Sequence, residues 1–265
     1  MLRRSLRAIL PLFAILLLVA CGGSAPVPHF ELHNQLAAGQ TLSIRNVSGS
    51  VRVEAARDGQ LGIVAQGVAQ GSRPEPVHVV SNAVGDGLAV CANWSSSDRC
   101  EGGEYSPSGA SFWQKFRFTS RVDVNFVVQL PPGVKLDVRD VNGSVTVVGA
   151  TSDVLVHGIN GSVTASTESG ALELKTVNGN VKGDIKGVPT RVSAKTVNGT
   201  IDVTGPAELA GDLEMSAING GIASDFAITT VGKVSRRRLA GHIGLGGGLI
   251  ELKSINGGVT LHKRA

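Results

Sequence analysis

Six copies of a five-residue unit, [Val/Ile]-Asn-Gly-x-[Val/Ile], punctuate the second half of the chain. Their asparagines are Asn142, Asn160, Asn178, Asn198, Asn219 and Asn256. Leu239-Ala240-Gly241-His242-Ile243 fits the frame as a degenerate copy, and with Ala240 as its centre the spacings are 18, 18, 20, 21, 21 and 16. Val47-Ser48-Gly49-Ser50-Val51 fits it far upstream. A period near 20 residues is the mark of repeats that stack on one another.

The frame extends beyond the motif. Counting each Asn as zero, position −6 reads Leu136, Val154, Leu172, Val192, Leu213, Val234, Ile250, and −4 reads Val138, Val156, Leu174, Ala194, Met215, Arg236, Leu252. Positions −1 and +3 are aliphatic throughout, and +5 is looser. Apolar residues two apart on each side of Asn-Gly spell strand, corner, strand. Both corner residues tolerate positive φ. An Asn-Gly hairpin is the competing arrangement, but the column register favours stacking like on like. The expected fold is all-β: a β-solenoid, a single-stranded β-helix-like stack of about seven to eight coils of 18–21 residues. At ~4.8 Å per strand, six steps span roughly 29 Å. The Asn column could hold a ligand or metal; the structural reading is a corner ladder of amide hydrogen bonds.

Gly supplies 35 of 265 residues, without the strict Gly-X-Y period of collagen. The 42% apolar content is enough to bury a core and excludes wholesale disorder. Arg3, Arg4 and Arg7 precede a 13-residue apolar stretch, Ala8 to Ala20, too short to span a bilayer and suited to a signal peptide. Leu18-Val19-Ala20-Cys21 resembles the lipobox of bacterial lipoproteins, which implies cleavage before Cys21 and its lipidation. Multiple acyl chains anchor stably where one would not. Gly22 after the cysteine implies outer-membrane sorting. Cleavage removes three arginines, leaving 22 basic against 21 acidic residues, so the basic pI belongs mostly to the leader and no nucleic-acid partner is expected. In an oxidising compartment the two remaining cysteines, Cys91 and Cys100, are expected to form a disulfide, worth roughly 2.5–3 kcal/mol for so short a loop.

Outward columns are where chemistry would sit. Position −5 holds Asp137, Glu173, Glu214 and Glu251; position −3 holds Arg139, His157, Lys175, Lys195, Arg237 and Lys253. This is either a self-paired, solvated face or a basic stripe for acidic glycan. Carboxylates in alternate coils would lie about 9.6 Å apart, at the limit for a glycosidase pair. Arg236-Arg237-Arg238 breaks the pattern, because Arg236 falls in an inward column where an unpaired guanidinium is costly. It is a candidate anion site or a surface bulge. The segment 91–121 carries the cysteines and Trp94, Tyr105, Phe112, Trp113, Phe116 and Phe118, six of the ten aromatics. Such a loop is a partner-binding candidate or an end cap. The six histidines are scattered, and no zinc spacing, nucleophile elbow or cofactor loop is present, so neither metal nor cofactor is expected.

The Val-Asn-Gly-x-Val and Ile-Asn-Gly-x-Val units, the preceding Leu-x-Val strands, Pro131-Pro132-Gly133 and the tripeptide Gly158-Ile159-Asn160 resemble the bacterial β-strand-repeat adhesins. These form a domain-of-unknown-function family similar to head-GIN adhesin domains. The resemblance covers roughly residues 40–265. It implies an envelope location, a solenoid-like fold and no set of catalytic residues. Residues 1–20 are read as signal, 21–40 as lipidated Cys and tether, and 41–265 as the repeat domain with the 91–121 insertion. The expected function is a non-enzymatic cell-envelope lipoprotein, an adhesin-like interaction or scaffold module. It would be lipid-anchored to the outer membrane, facing periplasm or surface, with a glycan or protein partner. The alternative is a polysaccharide lyase or hydrolase on a β-helix.

Overall fold

A computed structural model describes residues 28–70, 77–93, 100, 122–231 and 235–265. The described residues are all-β and fall into two mixed sheets, of ten and eleven strands. Each Asn-Gly unit builds one strand–corner–strand repeat, or coil, shared between the two sheets. The strand before the corner joins the eleven-stranded sheet and the strand after it joins the ten-stranded sheet. The coil of Asn160, for example, comprises Val154–Asn160 and Val163–Thr167.

Neighbouring coils pair in parallel, residue for residue in the columns that the spacing defines. Leu136 lies opposite Val154, Val156 opposite Leu174, Val163 opposite Val181, and Asn160 opposite Asn142 and Asn178. The upstream copy obeys the same register, with Leu42 opposite Leu136 and Ser48 opposite Asn142. Positions −6, −4 and +3 of the Asn-Gly coils face between the sheets and are essentially solvent-free, except Ile222 in the terminal coil, which is half-buried. Short aliphatic side chains fill this core because two sheets joined by tight corners leave little room for rings.

Close approach, more than backbone conformation, demands glycine at the corners. A Cβ on Gly161 would lie 1.8 Å from the Gly143 carbonyl oxygen, and one on Gly179 would lie 2.1 Å from that of Gly161. Gly161 has φ 154°, whereas Gly179 has no positive φ in the left-handed region and is needed all the same.

The structure departs from the spacing frame at several points. The coils do not stack in chain order: the last coil, Asn256, sits between those of Asn198 and Asn219. The copy centred on Ala240 is no coil. Arg238–Ile243 runs antiparallel to Gly211–Asn219, Ile228–Thr230 pairs with it, and together they form a hairpin over the Asn219 coil. Leu245, placed inward by the frame, is therefore fully exposed. At the other end, Val122–Leu130 and Gly87–Asn93 pair in parallel with the two strands of the upstream copy, and antiparallel strands follow beyond them. Val122–Leu130, Leu61–Ala69 and His29–Asn34 extend the ten-stranded sheet, and Gly87–Asn93 and His78–Val84 extend the other. His29–Asn34 lies inside the stretch read as tether, so strand structure begins earlier than residue 41.

Candidate functional site

Positions −5, −3 and −1 of each coil lie on the outer face of the eleven-stranded sheet, ending at the corner where the asparagines stand. Because the Asn256 coil sits beside that of Asn198, the basic residues are contiguous in space: Arg139, His157, Lys175, Lys195 and Lys253. Carboxylates intercept them. Asp137 holds the buried Arg45 at 2.5 Å and Arg139 at 3.6 Å. Glu173 contacts Lys175 and lies 3.5 Å from His157. Glu251 receives Lys253 at 2.5 Å and Lys195 at 2.7 Å, and Glu214 lies 3.3 Å from Lys253. Burial favours the neutral form of Glu251, but the two lysine hydrogen bonds prevail and lower its pKa to about 2. Burial, followed by the charge of Lys175, lowers the pKa of His157. Among the described residues, each basic side chain of the row thus meets a carboxylate, and the face is largely self-paired.

Coil order also changes the carboxylate spacing. Glu214 and Glu251 are direct neighbours across adjacent strands, not residues of alternate coils. Adjacent strands put them near the ≈ 5–5.5 Å separation of retaining glycosidases. That chemistry pairs an ionised nucleophile with a carboxylic acid shielded from water and cations; Glu251 is held ionised, but Glu214 is exposed and lies 3.3 Å from Lys253, which is not the setting of a general acid.

At the corner the six asparagines form one hydrogen-bonded file. Each Nδ2 donates to the Oδ1 of the preceding coil: Asn160 to Asn142 at 2.9 Å, Asn178 to Asn160 at 2.8 Å and Asn198 to Asn178 at 2.7 Å. Asn256 then donates to Asn198 at 2.7 Å and Asn219 to Asn256 at 2.8 Å. Every amide interior to the file uses one N–H in donation and one lone pair in acceptance, so the column braces each coil to the next.

Beside this file runs an aliphatic row. Position −1 places Val141, Ile159, Val177, Val197, Ile255 and Ile218 side by side in spatial order. Ile159, Val177, Ile255 and Ile218 are 43%, 39%, 40% and 58% exposed. The row spans five steps, roughly 24 Å. An exposed contiguous aliphatic ridge is the kind of surface that marks an interaction site.

Arg236 and Arg237 form the two-residue turn between Ser235 and Arg238, and all three arginines are exposed, so Arg236 leaves the inward column for a surface turn. Arg238 lines a cavity of about 260 Å³ with Glu214, Ser216 and Lys253. Cys91 and Cys100 form a disulfide, Sγ–Sγ 2.03 Å. Cys21, Trp94, Tyr105, Phe112, Trp113 and Phe116 lie outside the described residues. Among the described residues, no three His, Cys, Asp or Glu side chains gather as a metal site.

Position −2 had no part in the spacing frame, yet it is structural. Thr176, Thr196 and Ser254 are buried there, and their hydroxyls donate to the carbonyls of Gly161, Gly179 and Gly199 in the neighbouring coil at 2.9–3.0 Å. The signal is visible in the sequence as a column of small or polar residues: Asp140, Gly158, Thr176, Thr196, Ala217 and Ser254. Asp140 is the exception in chemistry. It is 2% exposed, neither carboxyl oxygen has a hydrogen-bond partner, and its register partner Asn46 is buried with an unsatisfied Oδ1.

No protein-family profile matches the chain, and no curated protein sequence matches it. Among solved structures, a candidate cell adhesion protein from Clostridium sporogenes is similar at 11% identity and TM-score 0.48, covering 89% of this chain and 100% of its own. A candidate adhesin from Bacteroides fragilis is similar at 13% identity and TM-score 0.33, covering 89% of this chain and 97% of its own.

Proposed function

We propose that this chain is a non-enzymatic interaction module of the bacterial cell envelope, adhesin-like in mode and carried on a solenoid-type stack. Lipidation at Cys21 would hold it on the outer membrane. The observation that supports this is the exposed aliphatic row Ile159, Val177, Ile255 and Ile218. Burying such a row against a partner releases ordered water along its whole length, and the rigid sheet beneath it pre-organises the side chains. The paired charges on one side and the asparagine file on the other form a polar rim, the usual surround of an apolar contact. A protein partner with its own apolar strip suits this surface better than a hydroxyl-coated glycan.

The test is co-sedimentation of the purified mature chain with isolated envelope fractions. Replacing Ile159, Val177 and Ile255 together by Thr keeps strand propensity and removes apolar surface. Binding is expected to fall about tenfold or more, with melting temperature nearly unchanged. Undiminished binding by a folded triple variant would overturn the role of the row.

A further inference from the structure

All six Asn-Gly pairs carry the same chemical hazard. The glycine nitrogen can attack the Asn Cγ, and the small glycine does not obstruct the approach. The five-membered ring closes as the C–N bond forms and the Cγ–Nδ2 bond breaks. The proton leaves with Nδ2 as ammonia. Water then opens the succinimide at either carbonyl, giving Asp or isoaspartate. The reaction needs a glycine N–H free of other bonds and an amide free to rotate.

The stack denies both requirements to five of the six pairs. Gly143, Gly161, Gly179, Gly199 and Gly257 each donate their N–H to the Asn carbonyl of the next coil, at 3.0, 2.9, 2.9, 3.0 and 3.2 Å. Each corresponding Asn Oδ1 accepts from the next Asn amide. The Asn219 coil is the last in the file and has no next coil. Among the described residues, the Gly220 N–H has no acceptor and the Asn219 Oδ1 has no donor. Asn219 and Gly220 are both exposed. Among the described residues, the covering hairpin's last bond to this strand is from the Ala217 N–H to the Arg237 carbonyl at 2.9 Å, two residues short of Asn219.

We propose that Asn219 is a deamidation site of the folded protein, and that the coil stack protects the other five Asn-Gly pairs. The product places a carboxyl at the end of the asparagine file and removes the amide that donates to Asn256.

The experiment incubates the full chain at pH 8.5 and 37 °C and follows each Asn-Gly peptide by mass spectrometry, with isoaspartate read separately. A chemically unfolded sample gives the reference rates, where all six pairs react. In the folded chain Asn219 is expected to react about tenfold or more faster than any other pair, because it has one bond to break, from its Nδ2 to Asn256, and the others have two or more including the glycine N–H bond. Asn219→Gln is expected to abolish this fast product and leave the others unchanged. Another pair reacting within threefold of Asn219, or an inert Asn219 while the unfolded control reacts, would overturn the proposal.

Discussion

Asp140→Thr is expected to stabilise this protein, and to do so only above acidic pH. In the folded chain burial drives the Asp140 pKa up to about 7 from an ordinary 3.8. The backbone N–H groups of Val141 and Asn142 pull the other way without forming well-made hydrogen bonds, and the charge of Asp123 adds to the rise. Below pH 3.8 both folded and unfolded states hold the proton. Between 3.8 and about 7 only the folded state does, so this residue's contribution to stability falls as pH rises through that window and is flat above it. The difference of roughly three pKa units corresponds to about 4 kcal/mol.

Thr is the residue that position −2 uses elsewhere. At Asp140 its hydroxyl would face the Gly49 carbonyl as Thr176 faces that of Gly161, at 3.0 Å. Carbonyl and carboxyl are already close, since a Cβ built on Gly143 lies 1.7 Å from the Gly49 oxygen and 2.5 Å from Asp140 Oδ2. The assay is thermal denaturation of both proteins from pH 4 to pH 8. The variant should lead by under about 1 kcal/mol at pH 4 and by about 4 kcal/mol at pH 8. For a domain of this size that is a rise in melting temperature of about 8–16 °C. A gap that is constant with pH, or a variant less stable at pH 8, refutes the reasoning.

Asn178→Ala removes two file hydrogen bonds and Asn219→Ala removes one. At about 0.5–1 kcal/mol per exposed bond, denaturation should show the interior loss near twice the terminal one; equal losses would mean that the bonds do not act separately. Gly179→Ala drives a methyl against the Gly161 carbonyl and should cost about 2 kcal/mol or more, read from the urea midpoint; an unchanged midpoint would show that the corner can yield. Glu251 is held at about 2 against an ordinary 4.5, so its contribution is present above pH 4.5 and is lost as pH falls toward 2. Glu251→Gln should therefore flatten the acid limb of the stability curve, and an equally steep limb in the variant would place the acid sensitivity elsewhere.

Much of the architecture is legible in the columns. Strand identity, the register of each coil on its neighbour and the buried aliphatic sets at −6, −4 and +3 all follow from alternation around Asn-Gly, because a one-residue slip would turn every side chain to the wrong face. The direction of position −1 is not legible in the same way. An aliphatic residue just before a corner can turn in or out, and here it turns out and makes the ridge. The position −2 column of small or polar residues is visible in the sequence, but its burial is not, because hydroxyls read as surface until the facing glycine carbonyls are known.

Spatial order is the deeper omission, and its cause is degeneracy. Any coil presents Val, Leu or Ile, a glycine corner and an Asn to its neighbour, so Val192 stacks as well on Ile250 as it would on Leu213. Stacking energy therefore fixes register and leaves order open. The hairpin of Ile228–Thr230 and Arg238–Ile243 decides it. That hairpin follows the Asn219 coil directly in the chain and pairs along Gly211 to Ser216, covering an edge that would otherwise invite another strand. A coil that carries its own cover can only be terminal, so the Asn256 coil must enter inside it. The same choice puts Lys195 and Lys253 around Glu251 and leaves Asn219 at the open end of the asparagine file. The charge pairing of the face and the chemical exposure of one asparagine thus share a single cause, the antiparallel turn at Arg236 and Arg237.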